Sequence, residues 1–119
     1  MKENAKFLKC PICDNIIEII DGDVQHITCC GRKMEEMKAN TTDAATEKHI
    51  PIYKKVEDEI VVSVGEVEHP MEKEHYIMWI AQVSENRITR VKLHPEQATE
   101  TRFPYISGAT LYAYCNKHG

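Results

Sequence analysis

The sequence predicts an all-β protein in two parts: a small hairpin unit stapled by metal, followed by a β-sandwich. Three observations carry this. Four of the five cysteines fall early, as Cys-x-x-Cys and then an adjacent pair. Short apolar runs of strand length, separated by turn signals, fill the second half of the chain. No stretch has a convincing helical period.

The bulk composition narrows the class. With 119 residues the chain suits one domain or two very small ones. Hydrophobic residues make up 42% and charged residues 29%, a globular balance. The formal net charge of −4 argues against general nucleic-acid binding, which needs a basic face. No apolar run approaches the roughly 18 residues of a membrane helix. Met1 to Lys6 leads into no apolar signal region, so a cytoplasmic location is expected. In that reducing compartment, an odd count of five cysteines points to metal ligands rather than disulfides.

Taken in order, residues 1–36 form the first unit. Cys10-Pro11-Ile12-Cys13 is a chelating turn, Ile16 to Ile20 an apolar strand, and Asp21-Gly22-Asp23 a turn. Val24 to Thr28 reads as the return strand of a hairpin that delivers Cys29 and Cys30 to its open end. So short a segment cannot bury a useful core, so a metal or partner must hold it. Residues 37–46 are small and polar and read as a linker. From 47 to 119 the pattern is strands. Ile60 to Val64 ends at Gly65, and Tyr76 to Val83 is the most apolar run. Arg87 to Leu93 alternates, with Thr89, Val91 and Leu93 on one face. Leu111, Ala113 and Cys115 share a face of the final strand. Lys54-Lys55 against Glu57-Asp58-Glu59 reads as a polar strand and turn.

Two donor constellations follow. Cys10, Cys13, Cys29 and Cys30 supply four thiolates, which suit zinc or a single tetrahedral iron. Adjacent cysteines chelate less comfortably than Cys-x-x-Cys, so a distorted tetrahedron is expected. The second set is His49, His69, His75, Cys115 and His118. Taken singly, each histidine reads equally well as a surface or satisfied core residue, and spacing does not establish that the five converge. If they do, five donors exceed what zinc normally takes and leave an octahedral metal one open position. A thiolate opposite that position would push electron density towards whatever binds there.

The motifs Glu47-Lys48-His49-x-Pro51, His69-Pro70-Met71-x-x-x-His75 and Cys115-Asn116-x-His118-Gly119, with the four cysteines, resemble the desulfoferrodoxins, the two-iron superoxide reductases. The resemblance spans essentially the whole chain, in order. It implies a desulforedoxin-like domain holding iron on Cys10, Cys13, Cys29 and Cys30, then an immunoglobulin-like β-sandwich catalytic domain. The catalytic iron would take His49, His69, His75 and His118 in a plane with Cys115 axial; zinc is the substitute occupant. The implied reaction joins superoxide, one electron and two protons to give hydrogen peroxide. A small donor such as rubredoxin would feed it, in a homodimer.

By the same resemblance Lys48 would draw the superoxide anion to the site and position water for protonation, and Glu47 would close over the oxidised iron. Lys73 and Lys117 flank ligands and read as solvated. His26 and His94 fit no motif and are expected at the surface, and Trp79 in the core or near the second metal. The competing reading is a non-catalytic protein, either a zinc-stapled module or an electron carrier using the four-cysteine site.

Overall fold

The computed structural model describes residues 5–38, 50–64 and 71–116. It is all-β, with eleven strands and no helix among the described residues. Those residues fall into two compact units, the first ending at Lys38.

The first unit is built on β1 (Lys6–Lys9), which lies between β2 (Ile16–Ile19) and β5 (Glu35–Glu36), both antiparallel to it. A two-stranded ribbon, β3 (Thr28–Cys29) with β4 (Arg32–Lys33), completes it. This corrects the hairpin expected from sequence. Ile16–Ile19 pairs with Lys6–Lys9, and residues 24–27 form no strand. Lys6–Lys9 carries a weak strand signal, because two lysines flank just two apolar residues. Those two, Phe7 and Leu8, are buried, and Leu8 packs with Cys10 and Met34. The ladder also reaches Met37, whose N–H donates to the Phe7 carbonyl at 2.8 Å.

The second unit is a sandwich of two three-stranded antiparallel sheets. One has the order β10 (Thr101–Pro104), β7 (Glu59–Val64), β6 (Pro51–Val56). The other has β11 (Thr110–Cys115), β8 (Ile77–Val83), β9 (Ile88–Lys92). Alternation places Ile60, Val62 and Val64 of β7 inside, against Ile77 and Ile80 of β8, with Leu93, Phe103 and Cys115 completing the core. Thr89 and Val91 are partly buried and Leu93 is fully buried, the face their alternation predicts. Gln82 Nε2 donates to the Pro104 carbonyl at 2.8 Å, a hydrogen bond between the two sheets. The polar turn at Glu57-Asp58 closes the β6–β7 hairpin as expected. The strand Thr101–Pro104 was not read from sequence, because it is short, contains Arg102 and ends in proline.

One irregularity matters for the site. The β8–β11 ladder runs from Val83↔Thr110 to Trp79↔Tyr114 and then skips Met78, so that Ile77 lies opposite Cys115. This β-bulge brings Ile77 into the core beside Cys115. On the opposite face Trp79 stacks on Tyr114, with ring centroids 5.7 Å apart.

Candidate metal centres

The four cysteines of the first unit converge. Their sulfurs all lie within 4.8 Å of one another. Cys13 Sγ is 3.7 Å from Cys29 Sγ, and Cys29 Sγ is 3.9 Å from Cys30 Sγ. A metal–sulfur bond of about 2.3 Å implies a tetrahedron edge of about 3.8 Å, so these spacings fit one ion held by four thiolates.

The chelating turn is built by its own backbone. The N–H groups of Ile12 and Cys13 both donate to Cys10 Sγ, at 3.4 Å each. The Cys10 N–H in turn donates to the Asn15 carbonyl at 3.0 Å. The Cys13 N–H is the main reason the Cys10 thiol is lowered to about 7, with Ile12 adding to it against the opposing effect of burial. Asn15 Nδ2 donates to Cys29 Sγ at 3.5 Å and favours its thiolate; Cys10, Cys13 and burial outweigh it, and Cys29 is raised. Cys30 is pushed up to about 12, first by hydrogen bonding with Cys13 and then with Cys29 and Cys10. Four thiolates cannot share so small a volume unless a cation balances them.

The adjacent pair is accommodated by a turn. Cys30 and Gly31 both have positive φ, 54° and 72°, and form the two-residue connection between β3 and β4. This is the type I′ pattern, in which both central residues are left-handed. The left-handed Cys30 backbone is how neighbouring cysteines reach one point. The Cys30-Gly31 dipeptide was the available signal in the sequence.

Of the second set, His75 and Cys115 are described; Glu47, Lys48, His49, His69 and His118 lie outside the described residues. Cys115 ends β11 and is 1% exposed within the sandwich core. His75 follows a tight reversal in which its N–H and C=O both pair with Glu72. His75 Nε2 is buried and makes no hydrogen bond among the described atoms, although the residue is engaged elsewhere. A soft sulfur and an imidazole nitrogen are donors that suit iron or zinc. Their elements are adjacent: Cys115 is paired with Ile77, two residues from His75. Asn116, next to Cys115, hydrogen-bonds to Tyr76 and Glu74 on either side of His75. In the sequence Asn116 stands out only as part of the Cys115-Asn116-x-His118-Gly119 motif. Its signal was an amide side chain between two candidate ligands. His26 and His94 are exposed, as expected. Trp79 is partly buried and stacks on Tyr114.

Fold and site together define a small all-β metalloprotein with a four-thiolate centre. The chain belongs to the desulfoferrodoxin family: the family model described as Desulfoferrodoxin matches residues 41–119. A desulfoferrodoxin of Syntrophotalea carbinolica is 42% identical, over all of this chain and 95% of that one. One from Desulfarculus baarsii is 41% identical, again over all of this chain and 95% of the relative. Among solved structures, the superoxide reductase of Treponema pallidum superposes with a TM-score of 0.75 at 27% identity. That match covers 98% of this chain and 94% of the other. No helix among the described residues is long and apolar enough to cross a membrane.

Proposed function

We propose that this chain is a superoxide reductase, reducing superoxide by one electron, with two protons, to hydrogen peroxide. The observation that carries the reading is the approach of two donors of the second set. Cys115 and the His75 segment are joined through the β11 terminus, in a chain similar throughout its length to a solved superoxide reductase. Iron bound here would supply a one-electron couple with a coordination position open to a small anion.

The chain's own residues divide the remaining tasks. Cys115 would hold the iron as a buried thiolate, in a water-poor apolar setting provided by Ile77, Ile80 and Ala113. His75, with His49, His69 and His118, would complete the ligand set. Lys48, in a chain of net charge −4, would supply the local positive field that attracts superoxide, and would hold water where the leaving product needs a proton. Glu47 would close over the site after turnover. The four-cysteine unit, nominally residues 1–36, would bind a second iron and is suited to one-electron storage. The catalytic part would run from 47 to 119, with 37–46 between them. A small one-electron donor protein such as rubredoxin, a homodimeric state and a cytoplasmic location complete the reading, with zinc a substitute metal at either centre.

The test is product stoichiometry. With a reductant present, superoxide consumption should yield peroxide without oxygen. Oxygen at half the superoxide consumed would mean dismutation instead. The second reading, an electron carrier, is favoured by the fact that the four-sulfur cluster is preassembled. It predicts one iron per chain and no superoxide consumption beyond the spontaneous rate.

A further inference from the structure

We propose that Asn116 is a positioning residue for the second metal centre: its side-chain amide brackets His75 and locks that ligand's backbone to the strand end that carries Cys115. The inference rests on the ligand reading above.

Four backbone polar groups surround the His75 side chain. His75 lies between two peptide planes, and the orientation of its Cα–Cβ bond is set by the φ and ψ that relate them. The plane before it carries the Glu74 C=O and the His75 N–H. The plane after it carries the His75 C=O and the Tyr76 N–H. Asn116 Nδ2 donates to the Glu74 carbonyl at 3.2 Å, and Asn116 Oδ1 accepts from the Tyr76 N–H at 2.9 Å. The other two groups belong to Glu72: the His75 N–H donates to its carbonyl at 3.0 Å, and its N–H donates to the His75 carbonyl at 2.9 Å. All four groups are therefore satisfied, two by a neighbouring backbone and two by one side chain. Both peptide planes are held from both sides, so His75 has little backbone freedom left.

The amide belongs to the residue after Cys115. The Asn116 N–H also donates to the Tyr76 carbonyl at 3.1 Å, which continues the ladder beyond Cys115↔Ile77. Asn116 is thus tied to the His75 segment by three hydrogen bonds. The sense of the amide is settled by its partners, because a carbonyl can only accept and an N–H can only donate. Few side chains could replace it. Aspartate keeps the acceptor for Tyr76 but sets a carboxylate oxygen against the Glu74 carbonyl. Alanine loses both contacts, and glutamine is longer by a methylene. The consequence is a fixed spacing between two donors that are far apart in sequence, established before any metal arrives.

The test uses the full chain and two readouts, neither of which is turnover. Hydrogen exchange at the Tyr76 amide should speed up roughly 3- to 10-fold in Asn116→Ala, for loss of one hydrogen bond. Cobalt(II) titration should then show the second equivalent bound roughly 10- to 100-fold more weakly, the usual cost of losing an outer-shell support. Its thiolate-to-metal band should shift, while the four-cysteine equivalent is unchanged. Asn116→Asp should keep the Tyr76 amide slow and still weaken the second equivalent; it serves as the test if the alanine variant does not fold. Unchanged Tyr76 exchange in Asn116→Ala would overturn the clamp. Faster exchange with unaltered second-site affinity would overturn its positioning role. A parent chain that takes up only the first cobalt would overturn the ligand reading itself and this inference with it, an outcome distinct from both.

Discussion

Stripping metal from the first unit should unfold it while leaving the sandwich intact. Its buried apolar side chains are Phe7, Leu8 and Met34, with Cys10 beside them. At about 1.5–3 kcal/mol for each fully buried side chain, the three supply less than about 10 kcal/mol. Ordering the backbone costs about 1–2 kcal/mol per residue, which that core cannot offset alone. Structural zinc on cysteine-rich sites contributes about 10–16 kcal/mol, more than those three side chains supply together. The left-handed Cys30 adds to the need, because such non-glycine strain costs about 1–3 kcal/mol and must be held by its surroundings. The assay is amide exchange before and after chelation. Phe7 and Leu8 in β1 should lose protection, while Ile80 and Ala81 in β8 should keep theirs. If β1 stays protected without metal, the four sulfurs are a passive cluster and the stapling argument fails.

With iron held on Cys115 as proposed, Cys115→Ser should remove a thiolate-to-iron band from the visible spectrum and leave the four-cysteine absorption in place. Lys48→Ala should slow the reaction with superoxide by roughly 10-fold and flatten its dependence on ionic strength, measured by pulse radiolysis. Phe103 is 1% exposed in the sandwich core, and Phe103→Ala should cost about 3–5 kcal/mol in denaturant unfolding of that unit. Metal affinity at the four-cysteine site should fall with falling pH. Cys30, raised to about 12, must give up a proton to bind, and below about 7 Cys10 must too. Zinc titrations at about pH 6 and about pH 8 check the sign.

The parts of this molecule legible in the sequence are those set by local chemistry. Cys-x-x-Cys with a later cysteine pair was enough to predict a metal centre. Strict alternation at Arg87 to Leu93 predicted the buried face of β9. What the sequence concealed depended on partners far along the chain. Lys6–Lys9 is the central strand of its sheet, yet its two apolar residues gain meaning only from Ile16–Ile19 and Glu35–Glu36. The apparent hairpin failed for the same reason: an apolar run announces a strand but does not choose between neighbours before and after it. Asn116 was hidden more completely, since its partners lie 40 and 42 residues earlier.

The β-bulge joins the fold to the proposed second centre. In an unbroken ladder, Ala113↔Ile80 and Tyr114↔Trp79 would lead to Cys115 opposite Met78 and Asn116 opposite Ile77. The skipped Met78 advances the register by one, so Cys115 meets Ile77 and Asn116 meets Tyr76. A one-residue change of register in a strand exchanges which residues face the core. Here it also decides which residue the Asn116 amide brackets. Without the bulge that amide would grip the peptides around Tyr76 and would no longer bracket His75. The Leu93 N–H donates to the Met78 carbonyl at 2.8 Å, so the residue just after β9 also supports the skipped one. The placement of His75 relative to Cys115 therefore depends on a residue that coordinates nothing.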